Sequence, residues 1–243
     1  CGYRRPQWLG RALADRNASI RLRAYASALD SYQNADPLDY VKLLDGGLTD
    51  NIGVTGFTLE RSAAGTPYGP LSPAAAVRLK TLLFIVADAG SDNDVDWAKS
   101  IHGPKLTELL DAVTGTTLSA SVRDEFDALT LAVSQWQGEL VRYRCSLPAS
   151  TVAAYRGSAG GWNCRDVQIV VQHLSFADLD QPAQVELNRI PTRLKLPVEQ
   201  VDLTIAAGRE ALLVNAEVTR AIAAIRARAG VAPVAKITTA QEN

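Results

Sequence analysis

Tyr40-Val41-Lys42-Leu43-Leu44-Asp45-Gly46-Gly47-Leu48-Thr49-Asp50-Asn51 is the stretch that decides how this chain is read. Residues 40–44 predict a short apolar strand that ends on Asp45 and turns through Gly46 and Gly47. Asp50 and Asn51 then offer themselves as caps for a following helix that carries Ile52, Val54, Phe57 and Leu59. An acid at a strand end beside a glycine turn is exposed on one side and held on the other. That suits a base that must meet a substrate. The two glycines allow a sharp turn and leave space beside the carboxylate. A plain strand-to-helix turn also uses Asp and Gly, so the surroundings must decide.

Outward from this element, strand and helix patterns alternate. Residues 1–16 read as irregular and Arg-rich, and Asn17 as the N-cap of a helix with Leu22, Tyr25, Leu29 and Tyr32 on one face. Residues 62–73 read as a surface loop, and Ser72-Pro73 opens a short helix through Lys80. Residues 82–88 form a continuous apolar run ending on Asp88, as in a strand covered on both faces. Leu118, Val122, Phe126, Leu129, Val133, Trp136 and Leu140 keep a 4-4-3-4-3-4 spacing, the clearest amphipathic helix of the chain. A third strand is expected over 167–176, with Val167, Ile169, Val171 and His173 on one face. Val198, Val201, Ile205 and Leu212 mark a further helix, and a last one covers 215–228. The pattern predicts an α/β fold with a mostly parallel sheet flanked by helices. One domain over 1–230 and a loose tail over 231–243 are expected.

Composition narrows the function classes. With 243 residues and a net charge of −1, the chain has room for a sizeable core and no electrostatic case for nucleic acid. The longest apolar run, 82–87, is too short to span a bilayer. Zero Met and a Cys1 start suggest a segment of something longer. Cys145 and Cys164 stand 19 positions apart, with no Cys or His at zinc-like spacing, so no metal site is expected. A disulfide or two buried thiols both fit that spacing. A bridge would stabilise by roughly 3 kcal/mol and would imply an oxidising compartment.

The Asp45-Gly46-Gly47 element resembles that of the patatin-like phospholipases, a family of serine acyl hydrolases. Residues 1–60, with the Cys-Gly-Tyr start and the Ala14-Asp15-Arg16-Asn17-Ala18-Ser19 run, are similar to the segment that leads into the base in the bacterial branch. Residues 82–88 and Trp162-Asn163-Cys164-Arg165-Asp166 look similar to it as well. The resemblance covers most of the chain, and one motif in it carries catalytic meaning. It implies a patatin-like acyl hydrolase fold lacking its N-terminal half, and a Ser-Asp dyad without histidine. Asp45 would be the base, while the serine would sit upstream in a Gly-x-Ser-x-Gly elbow that these residues do not contain. The implied substrate is a phospholipid or another acyl-ester lipid, with no cofactor. Implied partners are a membrane surface and the missing half of the domain. An exposed core face would then make the segment poorly soluble on its own. The implied location is a bacterial periplasm or outer membrane; Cys1-Gly2 would suit a mature lipoprotein, although a cut before an internal cysteine fits the resemblance better. The alternative is a non-catalytic α/β binding module, a degenerate relative. A nucleotide-binding domain is disfavoured, because Asp45-Gly46-Gly47 lacks the glycine spacing of a phosphate loop.

Three further features have a functional and a plain reading. Asp88 also ends a strand, where ligands gather in open α/β sheets, and equally suits a turn cap. His173 on an apolar strand face reads most simply as a satisfied core histidine, and His102 as a loop residue. Gly157-Ser158-Ala159-Gly160-Gly161 imitates a nucleophile elbow, but its serine is at the wrong position and follows the base, so it reads as a loop. The long helix's Phe126 and Trp136 are read as core, and Arg4, Arg5, Arg21 and Arg23 as a solvated basic cluster.

Overall fold

The computed structural model describes residues 5–33, 50–90, 101–191, 193 and 195–230. The expected strand at 40–44 and the tail at 231–243 lie outside these residues. The fold is mixed α/β and mostly helical, with two parallel strands among the described residues. The chain divides into two compact units that alternate along the sequence: Cys1–Leu79 with Pro104–Val167, and Lys80–Gly103 with Gln168–Asn243.

In the first unit, helix α1 spans Gln7–Ala14, in a stretch expected to be irregular. It buries Leu9 and Ala12 in a cluster with Leu22, Ala26 and Leu59. Leu9 and Ala12, three positions apart behind Pro6, are helically spaced, a signal that the surrounding arginines mask. Helix α2, Ile20–Ser31, is capped by Ser19 rather than Asn17. Ser19 Oγ accepts from the Leu22 amide at 3.1 Å, while the Asn17 amide donates to Asp15 Oδ1 at 2.8 Å in the preceding turn. The inward face is Leu22 and Ala26; Tyr25 and Tyr32 are exposed. The small Ala26 leaves room for the neighbouring helix where a ring would not fit.

Helix α3, Thr55–Ala63, starts at an N-cap on Val54, so Ile52 and Val54 precede it and neither Asp50 nor Asn51 is its cap. Asp50 instead reaches forward across the turn, its Oδ1 accepting from the amides of Val54 and Thr55 at 2.9 and 3.1 Å. Ser72 caps α4, Pro73–Arg78, through the Ala75 amide. Helix α5 runs unbroken over Leu106–Ser146, 41 residues. Val122, Leu129, Val133, Trp136 and Leu140 are buried along it. Glu125 is buried beside the half-buried Phe126, and accepts from Ser121 Oγ at 2.8 Å and from the Ile52 amide at 3.4 Å.

Four residues past Leu140 the buried stripe ends on Arg144, which is fully enclosed. Its guanidinium donates to the carbonyls of Ala76, Leu79, Asn163 and Cys164, and pairs with Asp166. Cys145 and Cys164 form a disulfide with Cα atoms 4.9 Å apart. The loop it closes is not all loop. Helix α6, Ala149–Arg156, lies inside it, buries Val152 and ends on Gly157 at φ 85°, a left-handed cap that suits glycine. Arg78 Nε donates to the Tyr155 carbonyl at 2.6 Å and ties α4 to α6.

In the second unit, β1 (Thr81–Asp88) pairs in parallel with β2 (Gln168–Ser175), Val86 opposite His173 and Asp88 opposite Ser175. Full burial of β1 was expected, but Val86 is its one buried residue and Ile85 is exposed. A 3-10 turn at Phe176–Asp178 leads into α7 (Gln181–Leu187), α8 (Val198–Val214) and α9 (Ala216–Ala229). Helix α8 is where periodicity placed it, with a different face inward. Ala207 and Ala211 join Leu179 and Leu187 in the core, whereas Val198, Val201 and Ile205 are exposed. Leu203 of the same helix packs against this cluster half-buried. Asn215 caps α9 and donates from Nδ2 to Gln172 Oε1 at 3.4 Å, while Arg228 donates to Thr81 Oγ1 at 2.6 Å.

Replacing Arg144 by alanine leaves Asp166 and several carbonyls without their donor. The expected loss in chemical denaturation is at least about 3 kcal/mol. Arg144→Lys, which keeps the charge without the planar fork, should recover only part of it.

Candidate functional site

Asp45, Gly46 and Gly47, on which the sequence reading rests, lie outside the described residues. The other residue proposed for binding, Asp88, ends β1 in the second unit. There the strand register does what sequence separation hides. Side chains of one parity share a sheet face, so Asp88 and His173 meet across adjacent strands. Asp88 Oδ2 lies 3.2 Å from His173 Nε2, and Asp88 Oδ1 accepts from the Gly90 amide at 2.8 Å. The aspartate therefore caps the turn after β1 and also orients the imidazole. Gly90 suits that approach: a Cβ there would stand 2.9 Å from Asp88 Oδ1, and the carboxylate would have to shift.

The pair is partly open to solvent, with side-chain exposures of 33% for His173 and 19% for Asp88. His173 is thus not the buried core residue its apolar strand suggested. An ionised carboxylate only accepts, so Nε2 is the ring's donor and Nδ1 its acceptor in the neutral form. Such a pair can hold a proton and fix an imidazole, at the carboxyl end of parallel strands where α/β folds place ligands. Ser175, opposite Asp88 in the register, has its Oγ accepting from the Ala177 amide as the cap of the 3-10 turn.

The residues around the disulfide form the other concentration of charge. Arg144 and Arg156 stack over the Trp162 ring at 4.5 and 5.2 Å. Burial, with Arg156 adding to it, pushes Arg144 down to about 10, which still leaves it charged at neutral pH. The Trp162-Asn163-Cys164-Arg165-Asp166 run is the receptor for this cation, so its chemistry is structural. Sequence reasoning passed over Arg144, although its place four residues beyond Leu140 continues the buried spacing. Ser158 lies in a turn with its Oγ accepting from the Gly160 amide at 3.0 Å.

Among the described residues no group of three or more His, Cys, Asp and Glu comes together to hold a metal, and no helix is long and apolar enough to cross a membrane. No family model, curated protein or solved structure matches the chain.

The pairing gives a direct spectroscopic expectation. In 15N-resolved imidazole spectra above the titration of the ring, His173 should appear as the Nε2–H tautomer. Asp88→Asn should redistribute the two tautomers, and an unchanged pattern in that variant would show that Asp88 does not orient the ring.

Proposed function

We propose that this chain is the base-bearing part of a patatin-like serine acyl hydrolase acting on phospholipids or related acyl esters. In this reading Asp45 takes the proton of a serine hydroxyl N-terminal to Cys1 and later returns it to the leaving alkoxide. An acyl-enzyme forms between and is hydrolysed by water. Gly46 and Gly47 leave space for the substrate beside the acid. The patatin-like fold, with further strands flanking the parallel pair, belongs to the same proposal, as does action at a membrane surface.

The observation that carries the reading is the Asp45-Gly46-Gly47 element in its context. Asp50, at the far end of the element, accepts from the Val54 and Thr55 amides at the start of α3, which is compatible with a turn leading into a helix. The parallel pairing of β1 and β2 is compatible with an α/β fold of that kind. The Cys145–Cys164 bridge supports an oxidising compartment, which we take to be a periplasm.

Asp45→Asn in the protein containing the upstream serine should lower p-nitrophenyl ester hydrolysis about a thousandfold, within the range for loss of a general base. Its circular dichroism and unfolding midpoint should stay put. Retained hydrolysis would remove Asp45 from the chemistry and leave a binding module as the better reading.

A further inference from the structure

The first unit contains a cleft of about 740 Å³, within the range of small-molecule sites, that the hydrolase reading does not use. Its walls come from α1, α2, α3 and the loop that follows α3. Trp8 and Tyr25 form one side, their rings stacked at 6.3 Å between centroids and 11° between planes. Leu59 and Pro70 supply apolar floor, and Gly56 leaves α3 open toward the space. Among the described residues that line it, Glu60 carries the only formal charge.

The loop after α3 that lines the cleft is held in place. Arg61 Nη1 donates to the carbonyls of Thr66 and Gly69 at 3.2 and 2.8 Å, while Nη2 pairs with Glu139 of α5. Arg61 thus fixes the loop, and its positive charge is matched by Glu139.

We infer that this cleft binds a small organic cation, an alkyl- or arylammonium group with an apolar body, by its aromatic pair and the Glu60 carboxylate. Aromatic faces carry negative potential and attract a cation whose hydration shell is weak. A carboxylate in the same cleft adds to that attraction and opposes anionic ligands such as free fatty acids. The apolar floor takes the ligand's carbon body, where a metal ion or an inorganic cation would find no ligand set.

Calorimetric titration of the full chain with choline, and with its neutral carbon isostere 3,3-dimethyl-1-butanol, separates charge recognition from mere apolar fit. Choline should bind at least about threefold more tightly than the alcohol, the scale of one exposed cation–aromatic contact. Glu60→Gln and Tyr25→Leu should each weaken choline by a similar factor. Gly56→Leu should abolish binding without lowering the unfolding midpoint, since a Cβ at Gly56 meets nothing within 4 Å and leucine is the better helix former. Co-sedimentation with phosphatidylcholine vesicles but not phosphatidylglycerol vesicles, lost in Gly56→Leu, would assign the cation to a lipid headgroup. Choline binding without co-sedimentation would assign it to a soluble amine. No choline binding, equal binding of the alcohol, or full binding in Gly56→Leu overturns the inference.

Discussion

A single buried guanidinium sets the arrangement of the first unit. Arg144 carries its charge into the protein interior, where an unpaired cation is costly, and it is held there because every direction of its planar fork meets an oxygen. Two of those oxygens, on Ala76 and Leu79, belong to the end of α4, where helix carbonyls lack partners of their own. The others, on Asn163, Cys164 and Asp166, belong to the far side of the cysteine loop. The end of α5, the end of α4 and the Trp162 run are therefore fixed at one point. The neighbouring disulfide makes the same connection covalently, so cation and bridge support each other.

This arrangement explains why some of the fold was legible in the sequence. The strand at 81–88, the strand at 168–175, the Ser72-Pro73 helix start and the long α5 stripe each declare themselves through local spacing or capping chemistry. Elements that exist because of a distant partner were not legible. Helix α6 folds inside a loop closed by a bond between residues 19 positions apart in sequence. In α8 the spacing located the helix and misjudged its face: Ala207 and Ala211 are buried, while the more apolar Val198, Val201 and Ile205 are exposed. Arg144 was invisible for a related reason: charge reads as surface until its acceptors are known.

The candidate site divides in the same way. Asp88 was recognisable as a strand-end carboxylate, whereas His173 read as a satisfied core histidine. Only the parallel register, Val86 opposite His173, makes them a pair. That pair differs from the chemistry proposed for Asp45, which needs no histidine. The proposal gives Asp45 a serine hydroxyl to deprotonate, whereas Asp88 faces an imidazole that it orients.

The central functional claim is a serine nucleophile served by an aspartate and lying N-terminal to Cys1. Fluorophosphonate labelling of the protein extended upstream, with the labelled peptide identified by mass spectrometry, addresses it most directly. The account expects one labelled serine, upstream of Cys1 and within a Gly-x-Ser-x-Gly sequence. A labelled serine inside residues 1–243, or no labelling at all, would contradict it.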